Sequence, residues 1–309
     1  MYSYAPTSVC NCKGTPSVVA LGCFDGVHTG HRQLLAIARE RADALGLSLV
    51  VYSPEAYKPG QASLLTSEEK IALLHSLGAD RVILADFDAI KHLSATDFVQ
   101  RVLFSELDCQ VAVCGYNFTF GHKASGDAAT LQTLMQENGK TAIVAAAVRD
   151  EKDVISSTRI RQLLKNGEVA TATELLKRPF SLSGRVCHGR AIGRAIGFPT
   201  LNLPFPPNKL VPKFGVYYAH VQVGATLYAA VINVGMRPTF PDTPPAPLLE
   251  AHLLDFAGDL YGKEVTVFLL AFLRGEMAFP CVKALSAQIQ KDVLSARACA
   301  DADLSFQNK

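Results

Sequence analysis

The chain has 309 residues, room for two domains at roughly 100–200 residues each. With 49% apolar and 19% charged residues it is not a disordered chain, and a net charge of +2 disfavours nucleic acid as the main partner. The longest apolar run, Val265–Leu273, is far short of the ~20 residues that cross a bilayer, and no basic segment with an apolar core opens the chain, so a cytoplasmic, reducing setting is expected.

Short apolar runs predict strands at Val18–Leu21, Leu47–Tyr52, Arg81–Ala85, Gln110–Cys114 and Thr141–Val148. Between them, Leu34, Leu35, Ile37, Ala38, Ala42 and Leu45 recur at helical spacing over Gly30–Leu45, with Gly46 as a stop. Thr66-Ser-Glu-Glu69 is a capping box that opens a second helix ending at Gly78. Ser94 caps a third, expected to run to about Leu107. Strand–helix alternation of this kind implies a parallel sheet covered on both faces. Near residue 180 the pattern changes. Gly215–Val223, Thr226–Val234, Leu249–Phe256 and Glu264–Leu273 read as neighbouring strands separated by turn residues, which suggests an antiparallel barrel or sandwich. An amphipathic helix, about Val282–Ala300, closes the chain. The expected border is 182/183, giving domains 1–182 and 183–309. Eight cysteines do not make a disulfide scaffold here. Cys10 and Cys12 form a C-x-C without further ligands nearby, and Cys23, Cys109, Cys114, Cys187 and Cys281 read as small core residues.

Two constellations carry chemistry. Gly22-Cys-Phe-Asp-Gly-Val-His-Thr-Gly-His31, with Phe24, Asp25, His28 and Gly30 inside it, lies between a strand and a helix. Its glycines permit tight turning, and the helix start offers free N–H groups and a partial positive charge, which suits phosphate. His28 and His31 can both face one phosphate and donate to it as charge builds. Gly115-Tyr-Asn-Phe-Thr-Phe-Gly121 follows an apolar strand, where open parallel sheets bind ligands. Asn117 is a ligand contact there, and Phe118 and Phe120 read equally as core or as a face for a flat ring. Ile155-Ser-Ser-Thr-Arg-Ile-Arg161 opens a helix. Ser156, Ser157 and Thr158 can cap it or bond phosphates. Arg159 and Arg161 do not share one helical face, and Arg161 reads as a solvated or structural charge.

The second constellation holds glycines 184, 189, 193 and 197, with Arg194, and then Phe198-Pro-Thr-Leu-Asn202. Its spacing matches neither dinucleotide-binding nor P-loop patterns, and Gly139-Lys140-Thr141 has Leu134 where a P-loop needs its first glycine. The glycines suit a loop closing over a ligand, or an ordinary hairpin. Thr200 and Asn202 offer hard oxygens suited to Mg²⁺ carried by ATP. Glu250 shares one strand face with His252 and Leu254. Facing a ligand it can accept a hydroxyl proton; on the outer face it is a surface charge. Arg274 contacts substrate or caps the sheet end.

HTGH in this position is similar to the nucleotidyltransferase signature. GCFDGVHTGH, GYNFTFG, ISSTRIR, GFPTLN, NVGMRPTF (233–240), EAHLLDF, GDLYGK and FLRGEMAF occur in this order, and together the chain resembles the bifunctional bacterial riboflavin kinase/FMN adenylyltransferase (FAD synthetase) family. The resemblance implies a Rossmann-like parallel sheet followed by a smaller antiparallel barrel with a C-terminal helix. It implies phosphorylation of riboflavin to FMN with MgATP, then adenylylation of FMN to FAD with release of pyrophosphate. By it, Glu250 is the kinase base, Thr200 and Asn202 hold Mg²⁺ and phosphates, Gly189 and Arg194 belong to the nucleotide loop, and Arg274 lies near the flavin. His28, His31, Asn117, Ser157, Thr158 and Arg159 make the adenylyl site, with Gly22, Phe24, Asp25 and Gly30 shaping it. The partners are then small molecules, with no nucleic acid or membrane; oligomeric state is not readable. The family's TFxPHP-like segment reads Val51-Tyr-Ser-Pro-Glu55 here, without its His. That departure motivates one alternative, a kinase with weak or lost adenylyl transfer; a second, a non-catalytic flavin or nucleotide sensor on these folds, is disfavoured by the catalytic side chains that remain in both halves.

Overall fold

The computed structural model describes residues 15–55, 60–188, 193, 197–236 and 246–307. They pack as two compact units, 1–157 and 158–309.

The first unit is a parallel sheet of five strands: β1 (Ser17–Leu21), β2 (Ser48–Pro54), β3 (Arg81–Ala85), β4 (Cys109–Gly115) and β7 (Thr141–Ala145), in the order β3-β2-β1-β4-β7. Two further two-residue strands, β5 (Thr119–Phe120) and β6 (Gly126–Asp127), form a hairpin after β4. Central β1 is buried along its whole length, as a strand covered on both faces must be. Helix α1 (Thr29–Leu45) turns Leu34, Leu35, Ala38 and Ala42 to the core and stops at left-handed Gly46. Helix α2 (Ser67–Ser76) carries the expected capping box: Thr66 Oγ1 accepts from Glu69 N, and Thr66 N donates to Glu69 Oε2. The helix expected from Ser94 is instead one short turn, Ala95–Asp97, followed by π-helical Phe98–Glu106. The wider π turn puts Phe98, Val102, Leu103 and Leu107 into one core cluster. A helix absent from the sequence reading, α3 (Ala128–Glu137), precedes β7. The strand expected to reach Val148 ends at Ala145.

The second unit opens with α4 (Ser157–Asn166), whose first residue still belongs to the first unit, and α5 (Val169–Leu176). Both lie before residue 182, yet Leu164 O accepts from Lys213 N, and α5 packs on β8 (Phe180–Arg185) and β13 (Glu264–Arg274). With β9 (Leu201–Pro204), β10 (Gly215–Val223), β11 (Thr226–Met236) and β12 (Pro247–Leu253), these strands form an antiparallel sheet ordered β8-β13-β10-β11-β12-β9. Cys187, just past β8, donates its N–H to Asn202 O of β9 at 2.9 Å, drawing the two edges into a near-closed barrel. Tyr217, Ala219, Ile232, Val234, Leu249 and Ala251 are fully buried in it. The closing helix α6 (Val282–Gln307) covers the outer face over Val216, Tyr218 and Val231. Cys109 and Cys114 are buried as expected, but Cys187 and Cys281 are exposed and Cys23 is half-buried; both exposed cysteines stand just past or before a regular element, where no sheet face covers them. Cys10 and Cys12 lie outside the described residues.

Candidate functional sites

In the parallel sheet the chain order reverses between β1 and β4, the place where open α/β sheets bind ligands beyond their carboxyl ends. The loop after β1 leads into α1, and the loop after β4 carries Asn117. The first of these is tightly built. Phe24 (φ 47°) and Val27 (φ 43°), both fully buried, sit in the left-handed region that side chains avoid, with Gly26 (φ 78°) between them. Asp25 holds this shape: Oδ1 accepts from Leu64 N at 2.8 Å, and its carbonyl accepts from Ser157 Oγ at 2.7 Å. The Phe24 ring lies 5.2 Å from the His31 ring, and a Cβ at Gly22 would meet it at 3.3 Å. Gly22, Phe24 and Asp25 therefore shape the loop.

His28 is the N-cap of α1, but its side chain makes no capping bond. Its ring stacks on that of His31 at 3.8 Å. A side chain at Gly30 would meet His28 Cε1 at 3.2 Å, so the glycine is what admits the imidazole there. The Nδ1 atoms of both histidines are buried without a hydrogen-bond partner among the described residues. Burial pushes His28 down to about 4. His31 lies well below its ordinary value, chiefly through burial and then through the charges of His28 and Lys70. At neutral pH both rings are uncharged, and two buried nitrogens stand ready for a ligand. No acidic residue occupies the first turn of α1, as an anion site requires. Asn117 is exposed just past β4. Phe118 and Phe120 stack at 5.5 Å and pack with the core. Ser157 joins the loop through Asp25, and Thr158 and Arg159 follow it in the first turn of α4. Arg161 is only 5% exposed, so it is a buried charge and not a solvated one.

In the barrel, Glu250 on β12 pairs across to Asn202 on β9 and to Asn233 on β11. Cross-strand partners project from the same face within about 5 Å at Cβ. That face is opposite the buried Leu249, Ala251 and Leu253, so Glu250 stands outside the apolar interior. It is not a free surface charge: Glu250 is half-buried and Asn202 is 5% exposed. Thr200 lies just before β9 and lines a cavity of about 450 Å³, together with Leu201, Leu253, Phe256 and Tyr261. The Tyr261 ring stacks on His188 at 3.8 Å. His252 Nδ1 bonds Pro199 O at 2.9 Å and fixes the segment that carries Thr200. Arg274 is engaged within the protein: Nε and Nη2 form a bidentate pair with Asp292 at 2.9 and 2.7 Å, and Nη1 donates to Gly275 O. Gly189 and Arg194 lie outside the described residues. Sequence reasoning overlooked Asn233, Lys70 and Asp292. Each is a lone polar residue at an apolar period: Asn233 in a strand, Lys70 four residues before buried Leu74, Asp292 four before buried Ala296.

Residues 11–159 match the FAD synthetase family model and residues 176–300 the riboflavin kinase family model. A bifunctional riboflavin kinase/FMN adenylyltransferase of Pseudomonas fluorescens is 38% identical over 290 residues, covering 92% of this chain and 93% of the relative. The chain belongs to this bifunctional family. The riboflavin kinase/FMN adenylyltransferase of Escherichia coli K12 is 37% identical over 289 residues, covering 91% of each chain. A solved structure described as a macrolide-efflux protein from Streptococcus pneumoniae is 32% identical with a TM-score of 0.82, covering 93% of this chain and 96% of that one. That description belongs to the other protein, and among the described residues here no helix is long and apolar enough to cross a membrane. As a riboflavin kinase/FMN adenylyltransferase, the chain is an enzyme of FAD biosynthesis.

Proposed function

We propose that the conversion of riboflavin to FAD is divided between two ATP sites, one in each unit. In the barrel unit the ribityl 5′-hydroxyl oxygen attacks the γ-phosphorus of ATP. Glu250 accepts the hydroxyl proton, the new O–P bond forms, the bridge to the β-phosphate breaks, and FMN and ADP result. The Asn202 amide oxygen, across the strand pair from this carboxylate, and the Thr200 hydroxyl two residues before it are hard donors that fit Mg²⁺ carried by ATP. When bound, Mg²⁺ offsets negative charge on the phosphates. Gly189 and Arg194 belong to the nucleotide loop of this site, and Arg274, held by Asp292, borders the flavin.

In the parallel-sheet unit a phosphate oxygen of FMN attacks the α-phosphorus of a second ATP and pyrophosphate leaves. No covalent enzyme intermediate is needed, so positioning and charge stabilisation do the work. His28 and His31 bond the phosphoryl oxygens and stabilise the charge that builds there. Asn117 and Ser157 add nucleotide contacts, and Thr158 and Arg159, the next residues of the chain, are the further contacts that the family resemblance implies. Use of ATP in both steps suits the cytoplasm.

The observation that carries this reading is the stacked, uncharged histidine pair, with buried unpartnered nitrogens, at the switch point of a parallel sheet. The test is incubation of full-length protein with riboflavin and MgATP, followed by separation of the flavins. FMN followed by FAD is expected. FMN without FAD would favour a kinase with a lost second step, the reading motivated by Glu55 where the family has His. Unchanged riboflavin would point to a sensor.

A further inference from the structure

Among the described residues, one of the buried cations that neither step above uses stands beside the histidine loop. Lys70 on α2 is 5% exposed. Its Nζ donates to Cys23 O at 3.2 Å, to Pro54 O at 3.3 Å and to Ser53 Oγ at 3.4 Å. Ser53 Oγ in turn donates to Cys23 O at 2.9 Å. These acceptors lie where β1 and β2 run out, at the root of the loop that carries the histidines. A buried ammonium is expensive, and an apolar residue on this helix face would be cheaper. The groups facing Lys70 are Asp25 and Cys23 from the loop and Glu55 beyond β2, while His31 on α1 feels its charge, as it does that of His28. Burial pushes Lys70 below its ordinary value, and Asp25, Cys23 and Glu55 act the other way.

We propose that Lys70 is a positioning residue of the adenylyl-transfer site: its ammonium fastens the root of the histidine loop to the end of β2 and sets a fixed positive charge behind the imidazoles. This rests on the assignment of His28 and His31 to that site. Burial is the main reason His31 is uncharged, and the Lys70 charge adds to it in the same direction. That charge also favours a highly charged ligand over a neutral one.

The test reads the imidazoles directly. In full-length protein the His31 resonance is assigned by its loss in His31→Gln, and its titration is followed by NMR. Lys70→Met removes one of the charges that hold His31 down, so its midpoint moves up. FAD formation from FMN falls by about 10²-fold, the scale of a small misplacement of reacting groups. Riboflavin phosphorylation persists, which reports an intact chain. Lys70→Gln keeps donors for the loop without the charge and serves if the Met variant does not fold; it shows the same upward shift. Lys70→Arg keeps the charge and leaves the midpoint where it is in the natural chain. An unmoved His31 midpoint in both neutral variants overturns the proposal, as does an unchanged rate of FAD formation. Undiminished FAD formation in His31→Gln overturns the site assignment itself, and the proposal with it.

Discussion

In the parallel-sheet unit the side chains proposed for adenylyl transfer stand beyond the strands, in loops and at helix starts; in the barrel unit Glu250 and Asn202, proposed for the kinase step, stand on the strands themselves. The first arrangement needs strained backbone, at Phe24 and Val27, and a clasp of hydrogen bonds around Asp25 and Lys70. The second needs only register, because the pairing of β12 with β9 and β11 sets Glu250 between two asparagines. Burial is also used differently. It removes charge from the histidines, whereas the carboxylate stays half-buried on the outer face. A site that only stabilises phosphoryl charge can be dry before substrate arrives.

The sharpest way to break this division is to damage each site separately. Glu250→Gln is expected to slow FMN formation by roughly 10²–10⁴, the scale of a general base, while FAD formation from added FMN continues. His28→Ala reverses the pattern, with FAD formation down about 10²–10³, the scale for loss of one charge-stabilising donor, and FMN accumulating. Both rates are read from separated flavins, and equal loss of both steps in either variant would point to misfolding.

A cut in the chain tests how far the units stand alone. We propose that the kinase activity is separable at a border near residue 182, and the packing sharpens where the fragment must begin. Val169, Ala172, Leu175 and Leu176 of α5 and Phe180 and Leu182 of β8 are all buried. Burying each Val, Leu or Phe side chain among them contributes about 1.5–3 kcal/mol. A fragment from Thr158 is therefore expected to make FMN and to melt well above one from Ser183. Equal melting temperatures would show that α5 adds nothing to the barrel.

A smaller effect concerns acid. His28 has a folded value of about 4, against ~6.5 when unfolded. The stabilising contribution is complete above pH ~6.5. As pH falls from there toward 4, the unfolded chain binds a proton that the folded chain refuses, and stability is lost. His28 alone accounts for roughly 3 kcal/mol across that window, and His31 acts in the same direction. Denaturant titration at pH 7.5 and pH 5 should show the loss, and His28→Gln should reduce it. An identical pH dependence in that variant would contradict the burial account.

The regular parts of this molecule were legible because their periods are strong. β3 and β10 were bounded to the residue, and α1 to within one. Elements went unread where the local signal was short. β9 is four residues that end on Pro204, and β8 and α5 depend on tertiary partners. The pairing of His28 and His31 at the start of α1 was readable because the two residues are close in sequence. Asn233, Lys70 and Asp292 were not, because their partners lie far away in sequence, on other strands, loops and helices. Arg274 shows the same limit: local sequence suggests a ligand contact, while its bidentate partner is on the closing helix.

The most direct test of two separate ATP sites is complementation in one tube. Glu250→Gln and His28→Ala proteins, each with riboflavin and MgATP, should make little or no FAD alone. Mixed, they should make FAD at a rate limited by diffusion of free FMN from one chain to the other. Rapid FAD formation by either variant alone, or failure of the mixture while each variant keeps its remaining activity, would contradict the account.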